Sequence, residues 1–170
     1  HDIMKVEALV PTVLPEHAPY HGYEAGALIG DHDVALGYVL EHDPEALPCY
    51  AALPYKLRKA VSFCQAEIGF NHGWLVQAEA PPGILFTRFK HQISGNHMRD
   101  SDIAFYFLHW LTDLAGAEPR PGPLHGCEKF VCKFPRKVFE RLVRSIPVVQ
   151  RLAHTSPARL YEEFLMQQWP

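Results

Sequence analysis

Fifteen prolines punctuate this 170-residue chain. Each lacks a backbone donor and disfavours helix in the residue before it, so together they fix where long helices can run. Pro11, Pro15 and Pro19 mark a loop, and His1–Leu9 reads as the end of a helix stopped before it. A helix is expected over Tyr20–Ile29. Asp31 or Asp33 can cap the next one, which carries Val34, Leu36, Val39 and Leu40 up to His42 and is ended or kinked by Asp43-Pro44. Pro48 and Pro54 bracket a connector. Leu57, Val61, Cys64, Ile68 and Leu75 give a helical pattern over Tyr55–Ala80, interrupted by Gly69 and Gly73 and stopped by Pro81-Pro82-Gly83.

The second half is patterned differently. Phe86–Ile93 is a short basic and apolar stretch, and Ser94–His97 a polar loop containing or flanked by Lys90, His91 and Arg99. Asp100 or Ser101 caps a strongly apolar helix through Leu114, ended by Gly116, with Asp102 near its exposed start. Pro119–Gly126 is a turn region. Lys129–Trp169 reads as two or three short helices broken at Pro135, Pro147 and Pro157. With no strand alternation and no repeat, the expected fold is all-α. It is a single helical domain, with a core over residues 1–118 and a basic helical extension over 119–170 packed on that core.

Composition bounds the function classes. The chain is 48% apolar and 21% charged, ordinary for a globular protein. A formal charge of −3 calls for neither nucleic acid nor a membrane as partner. No apolar run approaches the roughly 20 residues that span a bilayer, and no signal-peptide pattern opens the chain. Cys49, Cys64, Cys127 and Cys132 form no C-x-x-C pair, so a thiolate zinc site is not expected. Read as reduced, they place the chain in the cytoplasm. The chain opens on His1-Asp2 rather than Met. That is expected of a piece of a larger protein, whose other segments would then be its partners.

Chemistry is carried by histidine and aspartate. Adjacent residues on a helix point about 100° apart, so His1-Asp2 can place an imidazole and a carboxylate on neighbouring sides of a metal. Lys5, one turn on, could reach a phosphate oxygen. His21 opens the segment after the proline loop and His42 closes the next helix. Asp113 lies within Phe105-Tyr-Phe-Leu-His-Trp-Leu-Thr-Asp113. A carboxylate buried there needs a partner, either a metal or His109 four residues earlier. The order is His-Asp, His, His, Asp.

This order resembles the HD superfamily of metal-dependent phosphohydrolases, particularly its two-metal phosphodiesterase branch. His1-Asp2-Ile3-Met4-Lys5 resembles that family's His-Asp-Ile-Gly-Lys motif. His21-Gly-Tyr-Glu-Ala-Gly-Ala-Leu-Ile, Asp33–His42 and Leu111-Thr-Asp113-Leu-Ala resemble its later ligand helices. The likeness spans residues 1–116. Three features depart from it: the family's first histidine has no counterpart, Met4 replaces glycine, and Thr112 stands where alanine is common.

The resemblance implies one or two divalent ions held by His1, Asp2, His21, His42 and Asp113. Asp2 would bridge the ions that activate water, and Lys5 would neutralise a small phosphorylated substrate. Mixed imidazole and carboxylate donors suit Mn, Fe, Co, Ni, Zn or Mg without choosing among them. A rival register uses His42-Asp43 as the doublet, with His17 or His21 upstream and Asp113 last. Glu67, Asn71 and His72 interrupt the long helix and could floor a substrate pocket, or form a solvated stripe. Residues 120–154 hold eight Lys/Arg against two Glu. Lys129 leads this group as a phosphate contact, and the alternative is a solvated face. The other function class is a non-catalytic HD-like regulatory or scaffold module.

Overall fold

Asp31 starts the first helix, α1 (His32–His42): its carboxylate accepts from the backbone N–H of Asp33 at 2.9 Å and of Val34 at 3.1 Å. Those donors have no partner within a helix, which is why aspartate is favoured there. Ala35, Leu36, Tyr38, Val39 and Leu40 are all buried, so α1 is enclosed on most sides rather than along one stripe. Met4, Val13 and Ile29 complete its core. The computed structural model describes residues 2–65, 84–95, 97–116 and 136–168, and the chain divides into two compact units, His1–Ala66 and Glu67–Pro170.

In the first unit the segment before α1 is not helical as expected. Asp2–Lys5 and Glu7–Leu9 form 3-10 turns. Of their residues only Met4 is buried, and so short a segment with so little tertiary packing does not sustain an α-helix. The helix expected over Tyr20–Ile29 is replaced by turns. His21, Gly22 and Gly26 have φ of 45°, 86° and 79°, which a right-handed helix forbids. Tyr20 and Tyr23 exchange backbone hydrogen bonds of 3.0 and 2.8 Å across His21-Gly22, the pattern of a type I′ turn with both central residues at positive φ. Val13 and Ile29 then pair with Ala27 and Pro11. The Tyr38 hydroxyl ties this loop to α1: it accepts from the Leu14 N–H at 2.9 Å and lies 2.8 Å from His17 Nδ1. Helices α2 (Pro48–Ala51) and α3 (Tyr55–Gln65) follow. Helix α3 buries Ala60, Phe63 and Cys64 at helical spacing, and Val61 packs on the α1 cluster. The rest of the pattern expected through Ala80 lies outside the described residues.

In the second unit, α4 (Ile84–Gly95) buries Phe86, Phe89 and Ile93, a helix where the sequence showed only a short basic and apolar stretch. Helix α5 (Asp100–Gly116) buries Ile103, Tyr106 and Phe107, and the residues after Gly116, where its end was expected, lie outside the described residues. Helix α6 (Arg136–Gln150) runs through Pro147 rather than breaking there. Proline removes the hydrogen bond to the Val143 carbonyl, but both residues are exposed, so water can take it. Leu142, Val148 and Val149 on the opposite side hold the helix in the core. Ser156 caps α7 (Pro157–Gln168), accepting from the Arg159 N–H at 3.3 Å, and Leu160 and Phe164 are buried. Phe86 meets Tyr161 and Phe164 edge-on, and Gln150 donates to the Asp100 carbonyl at 2.9 Å. The C-terminal helices therefore pack on α4 and α5 while Arg136, Lys137 and Arg144 face solvent.

The described residues are all-α, with no strand and two isolated bridges. No helix among them is long and apolar enough to cross a membrane.

Asp102 corrects a further expectation: it is buried, not an exposed helix-start residue. Its carboxylate accepts from the Arg99 backbone N–H at 3.0 Å and from the guanidinium at 3.0 and 2.8 Å. The Arg99 hydrogen bond holds its carboxyl below the usual range, against the opposing effect of burial. A depressed folded-state pKa means the unfolded chain binds the proton more readily, so this stabilisation is present above about pH 4 and is lost as acid rises through the folded value. Asp102→Asn is expected to be less stable than the parent at neutral pH. The two curves should converge in acid, as read by urea unfolding at a series of pH values. Parallel curves across the acid range would contradict it.

Candidate metal centre

The N-terminal end of α1 gathers one group of metal-type donors among the described residues. Asp31, His32 and Asp33 each offer a ligand atom, and these atoms lie within 4.8 Å of one another. His32 Nε2 is 3.7 Å from Asp33 Oδ1 and 3.6 Å from Asp2 Oδ1, and Lys5 Nζ is 2.6 Å from that same Asp2 oxygen. The 3-10 turn at Asp2–Lys5 packs on α1, which is how a residue thirty positions upstream reaches His32. Two ligand atoms about 2.1 Å from a tetrahedral ion stand about 3.4 Å apart, close to the separations seen around His32 Nε2.

Electrostatics favour anions here twice over. The helix N-terminus carries a partial positive charge that stabilises Asp31 and Asp33. Lys5, through its hydrogen bond and its charge, holds the Asp2 carboxyl below its ordinary range, with His32 adding to the effect. Asp31 Oδ1 is engaged in capping. The group as a whole, one imidazole with carboxylates, could hold a metal ion.

The structure brings some of the expected site residues together and separates others. Asp2 and Lys5 are in the cluster. His42 is not: ten residues beyond His32 at about 1.5 Å per residue, it closes the other end of α1 about 15 Å away. There it stacks on His17, with ring centroids 3.8 Å apart and planes at 16°. Its Nε2 is 3.8 Å from Glu41 Oε2. His21 is exposed in the type I′ turn and meets Tyr20 edge-on, and Tyr20 in turn meets His42. Asp2 and His42 therefore do not share a centre. The C-terminal end instead joins His42 to His17, one of the two upstream histidines open to the rival register.

Asp113 belongs to α5 in the second unit and its side chain lies outside the described residues, as do His1, Glu67, Asn71, His72 and Lys129. His32 is the residue that sequence reasoning missed. Its signal was present: His32-Asp33 is a further His-Asp doublet, directly behind the Asp31 cap, but capping alone had accounted for its neighbours. No family model matches the chain, and no curated protein or solved structure matches it.

Proposed function

We propose that the chain is a divalent-metal-dependent phosphoester hydrolase of the HD-like type, with its metal at the N-terminal end of α1. The observation that carries this reading is the approach of His32 to Asp2 at 3.6 Å, within the Asp31-His32-Asp33 group. It gives the His-Asp motif of residues 1–5 a histidine from a later helix, the pattern that the resemblance implies, with His32 in place of His21 and His42. Asp2, Asp31, His32 and Asp33 would hold one or two ions of the Mn, Fe, Co, Ni, Zn or Mg type. Such an ion lowers the pKa of bound water and polarises a phosphoryl group. The chain's own part is to hold Asp2 ionised through Lys5 and to offer the Lys5 ammonium to a phosphate oxygen. A small phosphorylated molecule is the substrate class, as the resemblance implies.

A second reading, a non-catalytic HD-like module that retains the metal, is favoured by one observation. Asp2 and His42 stand at opposite ends of α1, so the full ligand order of the resemblance is not gathered in the first unit. Metal-stripped protein titrated with Mn²⁺ and Zn²⁺, then assayed on bis-p-nitrophenyl phosphate, separates the two. Metal uptake with hydrolysis lost on chelation supports the hydrolase. Uptake without hydrolysis supports the module. No uptake removes both.

A further inference from the structure

A capping residue has a backbone N–H of its own that the helix does not satisfy. In a capping box, a Glu or Gln three residues into the helix reaches back to accept it. In α1 that position is Val34, which has no side-chain acceptor. The Asp31 N–H donates instead to the Tyr23 hydroxyl, at 3.3 Å. Tyr23 thus supplies, from outside the helix, the half of the cap that α1 lacks.

Tyr23 can reach Asp31 because its turn is seated on α1. Tyr20 and Tyr23 flank His21-Gly22, whose positive φ values reverse the chain within four residues. The Tyr20 ring meets Tyr38 and His42 edge-on, with centroids 5.0 and 5.5 Å away. Its hydroxyl donates to Glu41 Oε2 at 3.4 Å and lies over Gly37, where an added Cβ would stand 3.4 Å from it. Tyr20 therefore grips the C-terminal half of α1. Tyr23, at the other side of the turn, packs on the α1 core and extends its hydroxyl to the start of the helix.

Asp31 serves the helix and the metal-type donor group together. Its Oδ1 accepts from the N–H groups of Asp33 and Val34, so Oδ2 is the oxygen not engaged in capping. Where Oδ2 points beside His32 and Asp33 follows from how the Asp31 backbone is held. We propose, on the reading that the metal centre lies at the N-terminal end of α1, that Tyr23 is a positioning residue for that centre. Its hydroxyl fixes the Asp31 backbone so that one carboxylate oxygen caps the helix and the other faces the cation. Tyr23 is not itself a ligand and acts through Asp31.

Calorimetric titration of the metal-stripped full chain with Zn²⁺ tests this. Tyr23→Phe keeps the ring and removes the hydroxyl, and should weaken Zn²⁺ binding by about 10-fold, as loss of a supporting partner does at metal sites. Tyr50→Phe is the matched control. It deletes a hydroxyl that meets Ser62 Oγ at 2.9 Å, from another side chain packed on the α1 core. Zn²⁺ affinity should then stay within about twofold of the parent, because a change that shares no partner with the centre does not couple to it. Asp31→Asn keeps a capping oxygen but loses the charge. In that background Tyr23→Phe should change affinity by less than about twofold, since a residue that acts through another has no separate effect once the other is gone. Equal affinity of the parent and Tyr23→Phe overturns the positioning role and leaves the centre standing. So does a loss that persists in the Asp31→Asn background or that Tyr50→Phe reproduces, because the hydroxyl then acts on the fold at large. A parent protein that takes up no Zn²⁺ removes the centre, and this role with it.

Discussion

His32→Ala is expected to lower affinity for Mn²⁺ or Zn²⁺ by about 100-fold or more, equivalent to about 2.7 kcal/mol of binding free energy. His32 Nε2 lies 3.6 Å from Asp2 Oδ1 and 3.7 Å from Asp33 Oδ1, so its loss leaves carboxylates that repel one another with no imidazole between them. Asp33→Asn should reduce affinity in the same direction. His42→Ala, about 15 Å away along α1, should leave metal affinity within about twofold. Calorimetric titration of the metal-stripped variants measures this directly. If His42→Ala costs as much as His32→Ala, the centre belongs at the C-terminal end of α1 with His17, and the assignment made here fails. Lys5→Gln gives a further reading of the same site. Removing the ammonium frees the Asp2 carboxylate for a cation but deprives a phosphate of its partner, so metal affinity and phosphoester turnover should respond differently.

Phe89→Ala is expected to destabilise the second unit by about 3–5 kcal/mol. Phe89 is fully buried and meets Tyr106 of α5 edge-on, with ring centroids 5.4 Å apart. Truncation removes the transfer free energy of a ring and leaves a cavity that α4 and α5 close only in part. Ile84→Ala, on the same helix but exposed, should cost less than about 0.5 kcal/mol. Chemical denaturation followed by circular dichroism compares the two. A small effect at Phe89 would mean that the interface between α4 and α5 collapses freely around the gap.

Much of the helical layout was legible because it rests on local chemistry. The Asp31 cap, the apolar run of α1 to His42 and the start of α3 after Pro54 each follow from a residue's own backbone preferences or from helical spacing. The errors were also local in origin. Tyr20–Ile29 has helix-compatible composition, and only the positive φ of His21, Gly22 and Gly26 shows that the chain turns there. Pro147 is a helix breaker by propensity, yet α6 runs through it because the side it weakens faces water and the opposite side is packed.

The sequence by itself determined that this chain is all-α, that α1 begins at an aspartate cap, and that its histidines and aspartates could form metal-type donor sets. It could not determine which of those donors meet. Helical spacing relates residues within about one turn, and the His-Asp doublets at residues 1, 32 and 42 look alike at that range. Tertiary structure decided among them. Docking of the Asp2–Lys5 turn on the N-terminal end of α1 sets Asp2 against His32, and the Tyr38 hydroxyl holds the proline loop so that His17 stacks on His42 at the other end. The physical reason is that a helix keeps its two ends apart by its own rise. The end on which an upstream segment packs depends on burial of Met4, Val13 and Ile29 against α1, a long-range contact that no local pattern encodes.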